Sequence, residues 1–67
     1  MLVFVNSKPI QLQKQETIPV VLQHIQIAEP RGIAVAVNNE VVPKTDWEKF
    51  LLKENDQITV IRATQGG

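Results

Sequence analysis

The sequence predicts an α+β fold in which a mixed sheet of about four to five strands packs on one main helix, with a short second helical turn. Three observations predict it. Residues with high β-propensity open the chain and recur in residues 33–37, 41–42 and 57–62. One stretch with helical spacing of its apolar residues lies between the first strands and the middle ones. The length of 67 residues allows one domain, and a helix laid across one face of a sheet buries the most apolar surface with these pieces. Residues 1–67 are therefore expected to form a single domain, with residues 63–67 as a flexible tail.

Each element follows from local pattern. Met1, Leu2, Val3, Phe4 and Val5 make a first strand. Asn6, Ser7 and Lys8 are turn-like, and Pro9, Ile10, Gln11, Leu12 and Gln13 alternate apolar with polar, so the two runs read as a hairpin. Thr17 can cap a helix, and Ile18, Val21, Leu22 and Ile25 recur at positions i, i+3, i+4 and i+7. Pro19 falls in the first turn, where its missing N–H costs little. The stripe stops near Ile27, and Pro30 and Gly32 break the chain.

Ile33, Ala34, Val35, Ala36 and Val37 are apolar on both faces and too short for a helix, which predicts a buried central strand. Asn38 and Asn39 tolerate the positive φ of a tight turn, Glu40, Val41 and Val42 return, and Pro43 ends that strand. Thr45 and Glu48 have capping-box spacing, which predicts a short helical turn burying Trp47 and either Phe50 or Leu51. Glu54, Asn55 and Asp56 form a turn before the last strand, residues 57–62. Strand alternation assigns Val3, Val5, Ile58 and Val60 to the core. It leaves Phe4, Thr59 and Ile61, with Arg62 beside them, as an outward patch next to the tail and a candidate partner-binding surface.

Composition excludes most function classes. Lys plus Arg is 7 and Asp plus Glu is 7, so there is no basic excess for nucleic acid. No apolar run approaches the roughly 20 residues of a membrane span. No basic stretch followed by a long apolar one opens the chain, so the expected location is the cytoplasm. Cysteine is absent, which removes disulfides, thiolate metal sites, cysteine nucleophiles and any side-chain persulfide. His24 is the single histidine and lies off the apolar stripe, which predicts a solvent-facing side chain and no metal site. Glu16, Glu29 and Asp56 form no recognisable acid–base pair. The expectation is that the protein is not an enzyme itself.

The remaining chemistry lies at the end of the chain. After Arg62 come Ala63, Thr64, Gln65, Gly66 and Gly67. Two glycines make a thin extended segment that can thread a narrow channel, and no Cβ guards the Gly67 carbonyl. Thr64, Gln65, Gly66 and Gly67 are the residues expected to enter a partner's active site.

Tail and element order together resemble the ubiquitin-like β-grasp superfamily. Within it the chain is most similar to the ThiS family, the sulfur carriers of thiamine biosynthesis. The likeness rests on Asn6 closing the first strand, Thr17 before the helix and the run Ala34, Val35, Ala36, Val37, Asn38. It continues in Val42 with Pro43, Trp47, Asp56 and the terminal Gly66 and Gly67, and so covers the whole chain. Two places depart from the family pattern. Asn55 stands where Gly is usual, and Thr64 and Gln65 stand where apolar residues are often seen.

The resemblance implies that Gly67 is the modified residue, passing through an acyl-adenylate to a thiocarboxylate. It implies three partners: an E1-like adenylyltransferase of the ThiF type, a sulfurtransferase or cysteine desulfurase as sulfur donor, and a thiazole synthase of the ThiG type. ATP and Mg²⁺ would bind the activating partner, with no cofactor held by this chain, which is expected to be a monomer. The same fold and tail would also serve the sulfur carrier of molybdopterin synthesis or a ubiquitin-like modifier of lysines. A passive interaction domain would lose nothing on removal of Gly66 and Gly67.

Overall fold

A computed structural model of the chain describes residues 1–27 and 32–62. In chain order its elements are β1 (Leu2–Val5), β2 (Lys8–Gln11), α1 (Ile18–His24), β3 (Ile33–Val37), β4 (Glu40–Val42), a 3₁₀ turn (Lys44–Asp46) and β5 (Gln57–Arg62). The five strands form one sheet in the order β2-β1-β5-β3-β4. The pair β1–β5 is parallel, and β1–β2, β3–β4 and β3–β5 are antiparallel. This mixed sheet with one covering helix is the ubiquitin-like β-grasp arrangement, as the order of elements predicts.

Both hairpins turn on residues with positive φ. Asn6 and Ser7 (φ 50° and 72°) join β1 to β2, and Asn38 and Asn39 (52° and 71°) join β3 to β4. Two consecutive positive φ values give the turn whose twist matches that of paired strands. Asn tolerates this backbone better than other residues with a Cβ. Asn55, at φ 70°, does what a Gly would do at the turn before β5.

The core lies between α1 and one face of the sheet. Val3 and Val5 of β1, Ile58 of β5, Val35 and Val37 of β3 and Val42 of β4 meet Ile18, Val21 and Leu22 of α1, with Leu12, Trp47 and Leu52 closing the edges. Val60 is half-buried and packs against this cluster. The indole Nε1 of Trp47 donates to the Val42 carbonyl at 2.9 Å, so its one polar atom is satisfied inside.

Four local expectations are corrected. Thr17 does occupy the N-cap position of α1, but its side chain makes no cap hydrogen bond; its backbone pairs with Leu51 in an isolated antiparallel bridge. The Thr45–Glu48 capping box does not form. Pro43, with its fixed φ, takes the N-cap position and starts the 3₁₀ turn two residues earlier, so Thr45 falls inside the turn. Among the candidates around Trp47, Phe50 is half-buried and Leu51 is 53% exposed, whereas Leu52 is fully buried. The reason is that the Leu52 N–H is held by the Glu16 carbonyl (2.9 Å), which turns the Leu52 side chain inward beside α1. Finally, β3 is hydrogen-bonded on both edges, but only one of its faces is covered: Val35 and Val37 are buried, Ala36 is half-buried and Ala34 is exposed. A single helix covers a single face, so apolar residues on the other face stay open.

Candidate functional site

The candidate tail residues Thr64, Gln65, Gly66 and Gly67 lie outside the described residues. Their approach is β5, the strand that runs directly into them. Two carboxamides hold β5, one at each end. At its start, Asn38 Oδ1 accepts from the Gln57 N–H (2.9 Å) and Asn38 Nδ2 donates to Asp56 Oδ1 (2.9 Å). Asp56 is 7% exposed, and its other oxygen, Oδ2, accepts from the Lys53 N–H at 2.7 Å. A buried carboxylate needs such donors, and this set fixes the turn that launches β5. At its far end, Asn6 Oδ1 accepts from the Val60 N–H (2.9 Å) and Asn6 Nδ2 donates to the Val60 carbonyl (3.4 Å).

The outward patch is distributed differently from the expectation. Thr59 and Ile61 are exposed on the uncovered face, Ile61 to 55%. Phe4 is on the same face but half-buried, between its cross-strand partners Pro9 on β2 and Gln57 on β5. Phe4 is level with Gln57, so Ile61 lies four residues further along, about 13 Å at ~3.3 Å per residue. Phe4 is thus at the end of the face away from the tail. Arg62 is exposed but shares parity with Ile58 and Val60, so it borders the outer face and does not join it.

The residues that do join Ile61 come from β3 and β4. Ala34 pairs with Ile61, Ala36 with Thr59, and Val41 with Ala36. Val41 is 72% exposed. Ile61, Ala34, Ala36 and Val41 therefore form one diagonal apolar strip around Thr59. The alternation in β4 carried a signal for Val41, since Val42 faces the core and Val41 must face away.

On the helical side an open groove of about 660 Å³ runs between α1 and the 3₁₀ turn, lined by Pro19, Leu22, Ile27 and Trp47, with Lys44 and Glu48 also on its wall. Its described lining residues present no nucleophile–base set. Among the described residues, no group of three or more His, Cys, Asp or Glu could hold a metal ion. No helix among them is long and apolar enough to cross a membrane. His24 is exposed in the last turn of α1.

The model of the ThiS family matches residues 3–67. The sulfur carrier protein ThiS of Escherichia coli (strain K12) is 25% identical over 67 residues, with all of both chains covered. A crystal structure of the thiamine biosynthesis protein ThiS from Geobacter metallireducens superposes with a TM-score of 0.83 at 22% identity, again over the whole of both chains. A solution structure of a thiamine biosynthesis protein from Geobacter metallireducens gives a TM-score of 0.78 at 22% identity, covering all of this chain and 88% of that one. At these identities the two structures establish the shared fold.

Proposed function

Since the chain belongs to the ThiS family, we propose that it is a sulfur carrier of thiamine biosynthesis whose working group is the carboxylate of Gly67. The observation that carries this reading is the extent of the family match, which runs from residue 3 through residue 67 and so includes Gly66 and Gly67. The relative from Escherichia coli bears the name of a sulfur carrier and aligns over its full length.

The chemistry follows from the terminus. A C-terminal carboxyl has a pKa of roughly 3.5 and is anionic at neutral pH, which makes it a poor acyl donor. One of its oxygens attacks the α-phosphorus of ATP held with Mg²⁺ by an E1-like adenylyltransferase of the ThiF type. Pyrophosphate leaves and an acyl-adenylate remains. The terminal sulfur of a persulfide, supplied by a sulfurtransferase or cysteine desulfurase, attacks the Gly67 carbonyl carbon and displaces AMP. The resulting acyl disulfide is cleaved by a thiol reductant, which supplies two electrons and leaves the thiocarboxylate. A thiazole synthase of the ThiG type consumes that sulfur. The strip of Ile61, Ala34, Ala36 and Val41 is the surface by which the activating enzyme holds the domain while residues 63–67 reach its nucleotide.

The test is the intact mass of the protein recovered from thiamine-starved cells. A fraction heavier by one oxygen-to-sulfur exchange, located on the last peptide, supports the carrier. Carboxylate alone, even after incubation with activating enzyme, ATP and sulfur donor, overturns it, and lysine conjugates then become the species to seek. A thiamine requirement in cells lacking the protein separates this branch from molybdopterin synthesis.

A further inference from the structure

The parallel pairing of β1 with β5 stops before β5 does. The Phe4 N–H donates to the Asp56 carbonyl (2.9 Å) and the Asn6 N–H to the Ile58 carbonyl (2.8 Å). In a parallel ladder the next rung would join the Val60 N–H to the Asn6 carbonyl, and the one after would return from the Val60 carbonyl to residue 8. Neither can form, because Asn6 and Ser7 turn away with positive φ into the hairpin to β2. The Asn6 side chain fills the gap. Its Oδ1 takes the Val60 N–H at 2.9 Å and its Nδ2 reaches the Val60 carbonyl at 3.4 Å, so one carboxamide stands in for both missing peptide groups.

We propose that Asn6 is a positioning residue for the carrier: its carboxamide extends the β1 edge by one surrogate rung and so fixes the last residues of β5, the strand from which the C-terminal residues follow in sequence. This rests on the carrier reading above for its consequence, though not for the brace itself. Past Val60 only the β3 side still holds the strand, where Ile61 pairs with Ala34 and Arg62 with Ile33. A β5 end anchored on one side samples more directions. A partner that accepts one direction then meets a smaller competent fraction, and apparent affinity falls by that fraction.

The molecule contains its own control. Asn38 performs the same kind of bonding at the other end of β5, and it too has positive φ (52°, against 50° for Asn6). Asn6→Gly and Asn38→Gly each remove a carboxamide without forcing a Cβ into left-handed backbone. Two measurements are made on the full chain. The first is amide hydrogen exchange in the isolated protein. Asn6→Gly is expected to raise exchange at Val60 at least about tenfold relative to any global change, while Asn38→Gly raises it at Gln57 and leaves Val60 protected. Unchanged Val60 protection in Asn6→Gly overturns the brace, whatever the protein's function. The second is ATP–pyrophosphate exchange with the activating enzyme, at a temperature where both variants are folded. Asn6→Gly is expected to raise KM about tenfold with kcat within about twofold, and Asn38→Gly to leave both near wild type. Asn6→Asp keeps the acceptor for the Val60 N–H but has no donor for the Val60 carbonyl, so it is expected to recover only part of the loss. Equal KM values for Asn6→Gly and Asn38→Gly overturn the positioning role. Wild-type protein that supports no exchange sinks the carrier reading instead, and leaves the brace to be decided by the first measurement.

Discussion

Leu51 and Leu52 are adjacent and opposite in environment, the first 53% exposed and the second fully buried. The segment between the 3₁₀ turn and β5 has no regular period, so its burial is set by individual hydrogen bonds such as that from Leu52 N–H to the Glu16 carbonyl (2.9 Å). Leu52→Ala should therefore cost about 2–5 kcal/mol, much of the stability of so small a domain, whereas Leu51→Ala should change it by no more than about 0.5 kcal/mol. Urea unfolding of the two variants checks this, and similar midpoints would contradict the placement. The same limit governs the asparagines. That Asn38 and Asn39 form a turn is legible from residue type and flanking strands. That Asn6 and Asn38 serve β5 is not, because the partners are 54 and 19 residues away and only the folded sheet brings them together.

At the scale of elements, α1 has seven residues, too few to persist alone. It is held by Ile18, Val21 and Leu22 in the core, and those residues were legible from their spacing. Its end was not. The Gln26 N–H bonds to the Gln23 carbonyl (3.0 Å) and the Ile27 N–H to the Leu22 carbonyl (2.9 Å), the paired bonds of a Schellman ending. Gln26 takes the left-handed position at φ 64°, where glycine is the usual occupant, so composition gave no stop signal there. Relieving that backbone makes a prediction. Gln26→Gly should stabilise the fold by about 0.5–1 kcal/mol, net of the extra freedom glycine brings to the unfolded chain. For a domain of this size that raises Tm by about 2–8 °C. A lower Tm would mean that the Gln26 side chain contributes more than its backbone costs. The opposite lesson comes from the 3₁₀ turn, where Thr45 and Glu48 have the right spacing for a capping box but Pro43 sets the start. Spacing alone does not show which residue is the cap.

For the whole molecule, the decisive feature is that one helix covers one face of a five-stranded sheet. The inner face accounts for stability, and the outer face keeps an apolar strip of Ile61, Ala34, Ala36 and Val41 beside the strand that leads to the tail. The sequence shows that β3 is apolar on both sides, but only the count of covering layers shows which side stays uncovered. The proposed docking strip thus lies apart from the core, and substitution can test it. Val41→Asp and Ile61→Asp place a charge where the side chain of the isolated chain is already mostly in water, at 72% and 55% exposure, and should cost no more than about 1 kcal/mol of stability, the span of strand propensity. Against an activating enzyme the same carboxylate would be desolvated without a partner, so affinity should fall about 10–100-fold for each. Gln23→Asp, exposed on α1 and lining the groove on the opposite side, should leave affinity within about twofold, since a rim charge far from an interface matters little at physiological salt. Titration calorimetry of the three variants with the activating enzyme decides it. Loss of binding in Val41→Asp and Ile61→Asp alone places the partner on the sheet. Loss in Gln23→Asp alone moves it to the helical groove, and the outer strip would then need another occupant.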